Sequence, residues 1–211
     1  VRLVFLGPPG AGKGTIAARA REALGIAHIS TGELFRKAIA EGSPLGLKVK
    51  GVIESGGLVG DDLTIALVRE RLAQADAAKG FILDGFPRTV AQAEALDAMG
   101  GIDRAVDFRL DDALVLARLG GRRTCPKCAK TYHVLFQKPR AEGVCDACGA
   151  ALAIRDDDRE DAIKRRLEVY RAQTAPLIDW YEAKGLLLVI DAAPAPEAVL
   201  ADFLKRMKDG L

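Results

Sequence analysis

The residues Gly7-Pro-Pro-Gly-Ala-Gly-Lys13-Gly-Thr15 lie between an apolar run, Val1-Arg-Leu-Val-Phe-Leu6, and a helical pattern from Thr15 to Leu24. A strand, a glycine-rich loop and a helix in that order form the context of a phosphate-binding loop. The glycines let backbone N–H groups converge on phosphate oxygens, the helix N-terminus adds partial positive charge, and Lys13 reaches the outer phosphates. A plain glycine-rich turn is the alternative, and the lysine and the preceding strand weigh against it. At one place the loop departs from the generic pattern. The hydroxyl expected directly after the lysine is replaced by Gly14, and Thr15 follows one position later. The generic assignment of Mg²⁺ to that hydroxyl therefore does not transfer.

Buried-strand runs recur at Gly80-Phe-Ile-Leu-Asp84, Ala105-Val-Asp-Phe-Arg-Leu110 and Leu186-Leu-Leu-Val-Ile190, and His28 falls in a further strand entering Ser30-Thr-Gly. Strands alternating with helices predict a mostly parallel sheet covered on both faces. Asp84-Gly-Phe-Pro-Arg88 stands at a strand end, where such sheets bind ligands. Asp84 can hold Mg²⁺ directly or through water, and Arg88 can fork onto a phosphate. A strand-end salt bridge in a turn is the plainer alternative.

Ser30-Thr-Gly-Glu33 and Thr89-Val-Ala-Gln92 fit capping boxes, and Ser43-Pro44 is an N-cap followed by proline. They predict helices near 31–41, 44–55 and 89–98. A long polar helix is expected from Asp157 to about Tyr181, bent near Pro176, with Glu160–Lys164 and Asp161–Arg165 charge pairs. On it Arg155 and Arg166, eleven residues apart, would share nearly one face.

With 49% hydrophobic and 28% charged residues over 211 positions, the composition excludes long disorder, collagen and a coiled-coil rod. The apolar runs fall well short of the ~20 residues that cross a bilayer. Thirty-one basic against 29 acidic side chains leave +2, too little for generic nucleic-acid coating. With no apolar signal-like segment, the four cysteines are expected reduced, in the cytoplasm. All four fall in two Cys-x-x-Cys pairs, Cys125 with Cys128 and Cys145 with Cys148, in a stretch where the helical pattern lapses. The spacing matches a zinc ribbon; four thiolates leave no open position, so the zinc would be structural. Two disulfides or an iron–sulfur cluster are the competing readings. His133, His28 and Trp180 read as packing residues.

Together with Ser30-Thr-Gly-Glu-Leu-Phe-Arg36, Gln92, Gly121-Arg-Arg123 and Arg155-Asp-Asp-Asp158, these motifs resemble the adenylate kinase family of nucleoside monophosphate kinases over essentially the whole chain. Lys-Gly-Thr is that family's usual loop ending. The resemblance implies an α/β, three-layer phosphate-loop fold with a mostly parallel five-stranded sheet. Its core would comprise residues 1–29, 60–121 and 156–211, with a small helical AMP-binding insertion at 30–59 and a zinc-binding lid at 122–155. It implies reversible, Mg²⁺-dependent transfer of the terminal phosphoryl of ATP to AMP, giving two ADP, by a cytoplasmic monomer with no nucleic-acid or membrane partner. The acceptor is already an ionised phosphate, so the task is to align two polyanions and exclude water, which calls for arginines.

By the same resemblance, Gly10, Ala11, Gly12, Lys13, Gly14 and Thr15 hold the ATP phosphates, Arg118 packs on its adenine, and Asp84 meets Mg²⁺ through water. Arg36 and Arg88 hold the AMP phosphate, Arg122 and Arg155 close from the lid, Arg166 completes the clamp, and Lys13 follows the moving phosphoryl. Thr31, Gln92, Gly85 and the main chain of Gly57, Leu58 and Val59 form the remaining AMP pocket. Thr31 and Gln92 also fall at or beside capping boxes, and each arginine has a solvated surface ion pair as its alternative. Asp157 and Asp158 read as helix cap and arginine-orienting groups, and Gly120-Gly121 as part of a lid hinge. UMP, CMP or GMP as acceptor, GTP as donor, and a zinc-ribbon module using nucleotide only as a switch remain as rivals.

Overall fold

In the computed structural model, which describes residues 1–209, the strands are β1 Arg2–Leu6, β2 Ala27–Ser30, β3 Phe81–Asp84, β4 Arg104–Arg109, β5 Arg122–Thr124, β6 Thr131–His133 and β7 Leu187–Asp191. The central sheet is five-stranded and parallel, in the order β2-β3-β1-β4-β7. The chain winds from β1 towards β2 and β3 on one side and reaches β4 and β7 on the other. The switch point therefore lies at the C-terminal end of β1, where a doubly wound sheet opens a crevice. Phe5 pairs with Asp84 and Leu6 with Asp107, so the phosphate loop and the Asp84 turn leave the sheet side by side.

Alternation along β1 explains its unbroken apolar run. Leu3 and Phe5 face one layer, with α1 (Lys13–Leu24) and α9 (Pro196–Asp209) supplying Ile16, Ala20, Val199 and Phe203. Val4 and Leu6 face the other, with α4 (Asp61–Leu72), α5 (Val90–Ala98) and α8 (Pro176–Ala183) supplying Val68, Leu96, Leu177 and Tyr181. Each Leu or Phe fully buried in this way contributes about 1.5–3 kcal/mol. Phe5 meets Phe108 and Phe203 edge-on at centroid distances of 4.8 and 5.5 Å.

Between β2 and α4 stand α2 (Thr31–Ala40) and α3 (Pro44–Glu54). Ser30 Oγ accepts from Glu33 N at 3.4 Å and Ser43 Oγ from Gly46 N at 3.1 Å, as their cap signals require. After α6 (Asp112–Gly120), β5 and β6 form a separate antiparallel pair. Among the described residues no helix is long and apolar enough to cross a membrane.

The long polar helix is interrupted. Asp156–Asp158 form a 3-10 turn, Arg159 is extended (φ −70°, ψ 153°), and α7 runs only over Glu160–Val169. Arg155 therefore precedes the helix that carries Arg166, and neither Asp157 nor Asp158 caps it: its N-cap is Arg159, without a side-chain bond. The Glu160–Lys164 pair forms at 2.7 Å, while Arg165 reaches Glu168 at 3.4 Å rather than Asp161. The expected bend is a π-helical turn at Tyr170–Thr174, closed by Ala175 N donating to Tyr170 O at 2.8 Å. Pro176 has no N–H and its ring crowds the preceding turn, which widens the helix there.

Helices α2 and α3 touch backbone to backbone, because a Cβ on Gly46 would collide with the Ala38 carbonyl, whereas one on Gly51 of α3 would meet nothing within 4 Å. Gly46→Ala should cost about 1–3 kcal/mol and Gly51→Ala should gain up to about 1 kcal/mol, both read by urea unfolding. Shifts of the same sign would contradict this contact.

Candidate active site

Lys13 opens α1, and its ammonium folds back to donate to Gly7 O (2.7 Å) and Pro8 O (2.9 Å). Burial pulls its pKa down to about 8; Asp84 opposes that shift, and Arg88, Arg166 and Arg122 add to it. Asp84 ends β3 beside the loop, and a Cβ on Gly14 would come within 3.3 Å of its Oδ2. Its burial favours the neutral acid, but the facing His28 together with Lys13 and Arg88 outweighs this and holds the carboxyl below its usual range. His28 Nε2 lies 3.8 Å from Asp84 Oδ2, beyond direct hydrogen bonding, and is buried without a hydrogen-bond partner. An ionised carboxylate facing the loop suits a hydrated Mg²⁺, in keeping with the missing hydroxyl at Gly14.

Gly85 O is a junction, accepting from Thr31 Oγ1 and Arg88 Nε, each at 2.9 Å. From the far side, Thr174 in the π-helical turn donates to Arg88 O at 3.0 Å. Thr31, Gly85 and Arg88 border a cavity that also takes in Arg36, Gly57, Leu58, Val59 and Gln92, and that Arg155, Asp157 and Arg166 complete. Four arginines from separate elements thus converge on one space. Burial, reinforced by Arg155, lowers the pKa of Arg36 to about 10; burial also lowers that of Arg166 to about 10.

Asp157 and Asp158 hold the arginines apart. Arg155 forks onto Asp157, with Nε at 2.8 Å from Oδ1, and Arg122 forks onto Asp158, with Nε at 2.7 Å from Oδ2. Arg166 Nη1 bridges the two, at 3.0 Å from Asp158 Oδ1, 3.4 Å from Asp157 Oδ2 and 2.8 Å from Asp157 O. Burial works against ionisation of Asp157, yet Arg166 and Arg155 hold it well below the carboxylate range. The arginine-orienting role read from the sequence is therefore what these residues do, from a turn rather than from a cap.

Gln92 is 2% exposed. Its Oε1 accepts from Arg88 N (2.8 Å), its Nε2 donates to Asp61 Oδ1 (2.8 Å), and its own N–H meets Thr89 Oγ1 (3.2 Å). It is a cap partner and a cavity residue at once. Asp61 escaped the sequence reading because it follows Gly60 as an ordinary acidic first-turn residue of α4.

Arg118 does not join this cavity. It lies on α6, whose Leu119 and Val115 abut the phosphate loop at Gly10, and its Nη2 donates to Ala193 O (2.9 Å) in the turn after β7. At the base of the β5–β6 segment, His133 Nε2 donates to Ala117 O (3.2 Å) while Nδ1 accepts from the N–H groups of Leu135 and Phe136 (3.0 and 3.2 Å). A Cβ on Gly121 would collide with this ring. Substitution of Gly121 therefore disturbs packing whether or not the glycine pair is a hinge.

None of the four cysteines is disulfide-bonded, and their sulfurs all lie within 4.8 Å of one another. Cys125–Cys148 and Cys128–Cys145 are separated by 3.4 and 3.5 Å, near the ~3.8 Å edge of a tetrahedron with 2.3 Å zinc–sulfur bonds. The cluster can therefore hold a metal ion. Tyr132 ties it to β6, its hydroxyl lying 3.5 Å from Cys145 Sγ and accepting from Asp146 N at 2.8 Å.

A phosphate loop at the switch point of a parallel sheet, faced by a carboxylate and a set of buried arginines, defines a nucleotide phosphotransferase. The family model described as "Adenylate kinase" matches residues 5–186. The chain is 58% identical to the adenylate kinase of Treponema denticola over 95% of its own length and 96% of that protein's. It is 51% identical to that of Moorella thermoacetica over 95% and 94%, and 49% identical to that of a Geobacillus species over the full length of both. The chain belongs to the adenylate kinase family, whose activity is phosphoryl transfer between ATP and AMP.

Asp157→Asn leaves Arg155 and Arg166 buried against each other and should cost about 3–5 kcal/mol near neutral pH. Because folding lowers the Asp157 pKa, its contribution is complete above about pH 5 and is lost as pH falls below about 4. The stability gap between the two proteins in urea should therefore narrow from pH 7 to pH 3.5. A constant gap would contradict the assignment.

Proposed function

We propose that the chain catalyses reversible, Mg²⁺-dependent transfer of the terminal phosphoryl of ATP to AMP within a site formed between two nucleotide pockets. The observation that carries the reading is the convergence of Lys13 and five arginines on the space between the phosphate loop and the Gly85–Arg88 turn, against only three carboxylates there. An excess of buried positive charge is costly in the empty protein and is relieved by bound phosphates.

In the proposed reaction a phosphate oxygen of AMP attacks the terminal phosphorus of ATP in line. The bond from that phosphorus to the bridging oxygen breaks, and both products are ADP. No general base is required, since the attacking oxygen is already ionised. Arg36 and Arg88 orient the acceptor phosphate, with Thr31 and Gln92 on its base and Gly57 to Val59 beside it. Lys13 turns from Gly7 O and Pro8 O to the moving phosphoryl group. Arg122, Arg155 and Arg166 exchange part of their pairing with Asp157 and Asp158 for phosphate oxygens. Arg118 stacks on the donor base. Mg²⁺, held through water at Asp84, would neutralise donor phosphate charge.

We further propose that residues 30–59 and 122–155 move as AMP-binding and lid units on the remaining core, excluding water on closure. The lid is too small for a core of its own, which supports a structural zinc at Cys125, Cys128, Cys145 and Cys148.

Initial velocities with Mg·ATP and AMP, GMP, CMP, UMP or no acceptor test the reaction. Selective diphosphate formation with AMP is expected; equal hydrolysis without acceptor would refute a two-site kinase. Metal analysis should find one equivalent of zinc with no visible-range charge-transfer band, and stripping it should lower the thermal midpoint. An iron-type band, or an unchanged midpoint, would refute the structural zinc.

A further inference from the structure

An amide's oxygen and nitrogen are nearly equal in size, so its neighbours decide which way a buried glutamine faces. Both neighbours of Gln92 are unambiguous. The Arg88 backbone N–H can only donate, and it meets Oε1 at 2.8 Å. The Asp61 carboxylate oxygen accepts from Nε2 at 2.8 Å and also from Thr89 Oγ1 at 3.1 Å. Thr89 in turn caps α5, and Asp61 is the first residue of α4. Two helix starts thus hold the carboxylate in place.

We propose that Asp61 is a specificity-positioning residue, which locks the flip of the Gln92 amide and so sets the order of donor and acceptor offered to the acceptor base. This rests on Gln92 reading that base. With the amide turned over, Nε2 would face the Arg88 N–H and Oε1 would face the carboxylate. Two buried hydrogen bonds would become repulsive contacts that water cannot repair. As locked, Oε1 keeps one acceptor position and Nε2 one donor position. That pair suits a 6-aminopurine, whose exocyclic amine donates and whose ring N1 accepts. A 6-oxopurine reverses both, since its oxygen accepts and its N1–H donates. Asp61 itself stands behind Gln92, on a neighbouring cavity lined by Gly57 to Gly60 and Arg165. It would discriminate without touching the nucleotide.

The test is kcat/KM for AMP and for IMP with saturating Mg·ATP in the intact protein, the Asp61→Asn and Gln92→Ala variants, and the double variant. An asparagine at 61 can face the amide with either its oxygen or its nitrogen, which removes the carboxylate's half of the lock and leaves the Arg88 N–H alone to hold the flip. Asp61→Asn should lower the AMP/IMP ratio roughly tenfold or more, partly by raising IMP turnover, with KM for ATP unchanged. In the double variant it should add nothing to the change made by Gln92→Ala, because it acts through that residue. If Gln92→Ala leaves the ratio unchanged, the base-reading role of Gln92 fails. If Gln92→Ala lowers the ratio and Asp61→Asn does not, the lock is overturned. Should Asp61→Asn fold poorly, Thr89→Val removes one of the two bonds holding Asp61 Oδ1 and should move the ratio the same way; an unmoved ratio there overturns the lock as well.

Discussion

Like charges crowded into a buried crevice set the terms for the rest of this molecule. Lys13, Arg36, Arg88 and Arg166 each have a depressed pKa, and burial is the largest cause for all four. A crevice like this can fold only if carboxylates are placed among the cations with good geometry. Asp84, Asp157 and Asp158 supply them, and the helix expected to begin at Asp157 gives way to a tight turn that aims two carboxylates inward. The turn sacrifices a side-chain cap on α7, worth about 1 kcal/mol, for a pairing whose loss costs several times more.

The same network ties the inserted segment to the core. Arg122 enters that segment and Arg155 leaves it, and their carboxylate partners are adjacent residues, Asp158 and Asp157. Phosphates competing for these guanidiniums would alter the tie at both ends together. His133 and Gly121 pack the base of the segment against the last turn of α6.

Support behind the first layer of residues is equally specific. The π-helical turn forced by Pro176 places Thr174 under the Arg88 carbonyl, and Gly85 O gathers Thr31 and Arg88. Neither contact has a sequence signature, because a widened turn and a shared carbonyl are consequences of packing. The arginine-orienting role of Asp157 and Asp158 was legible from the run Arg155-Asp-Asp-Asp158; the expectation that Arg155 and Arg166 share one helix was not met, since propensity cannot register the extended Arg159. Asp61 was invisible because its importance lies in a partner 31 residues away.

The sequence by itself determined the strand, loop and helix around Lys13, the alternation of strands and helices, the cap positions and the four-cysteine cluster. Each of these rests on local periodicity or on spacing within a short stretch, where backbone geometry leaves few choices. Tertiary structure alone decided which carboxylate holds which arginine, where the polar helix breaks, and which way the Gln92 amide faces. The pairs concerned stand far apart in the chain, 36 residues for Arg122 and Asp158 and 86 for Thr174 and Arg88. Their energies depend on burial and hydrogen-bond geometry that exist only once the sheet has brought its loops together.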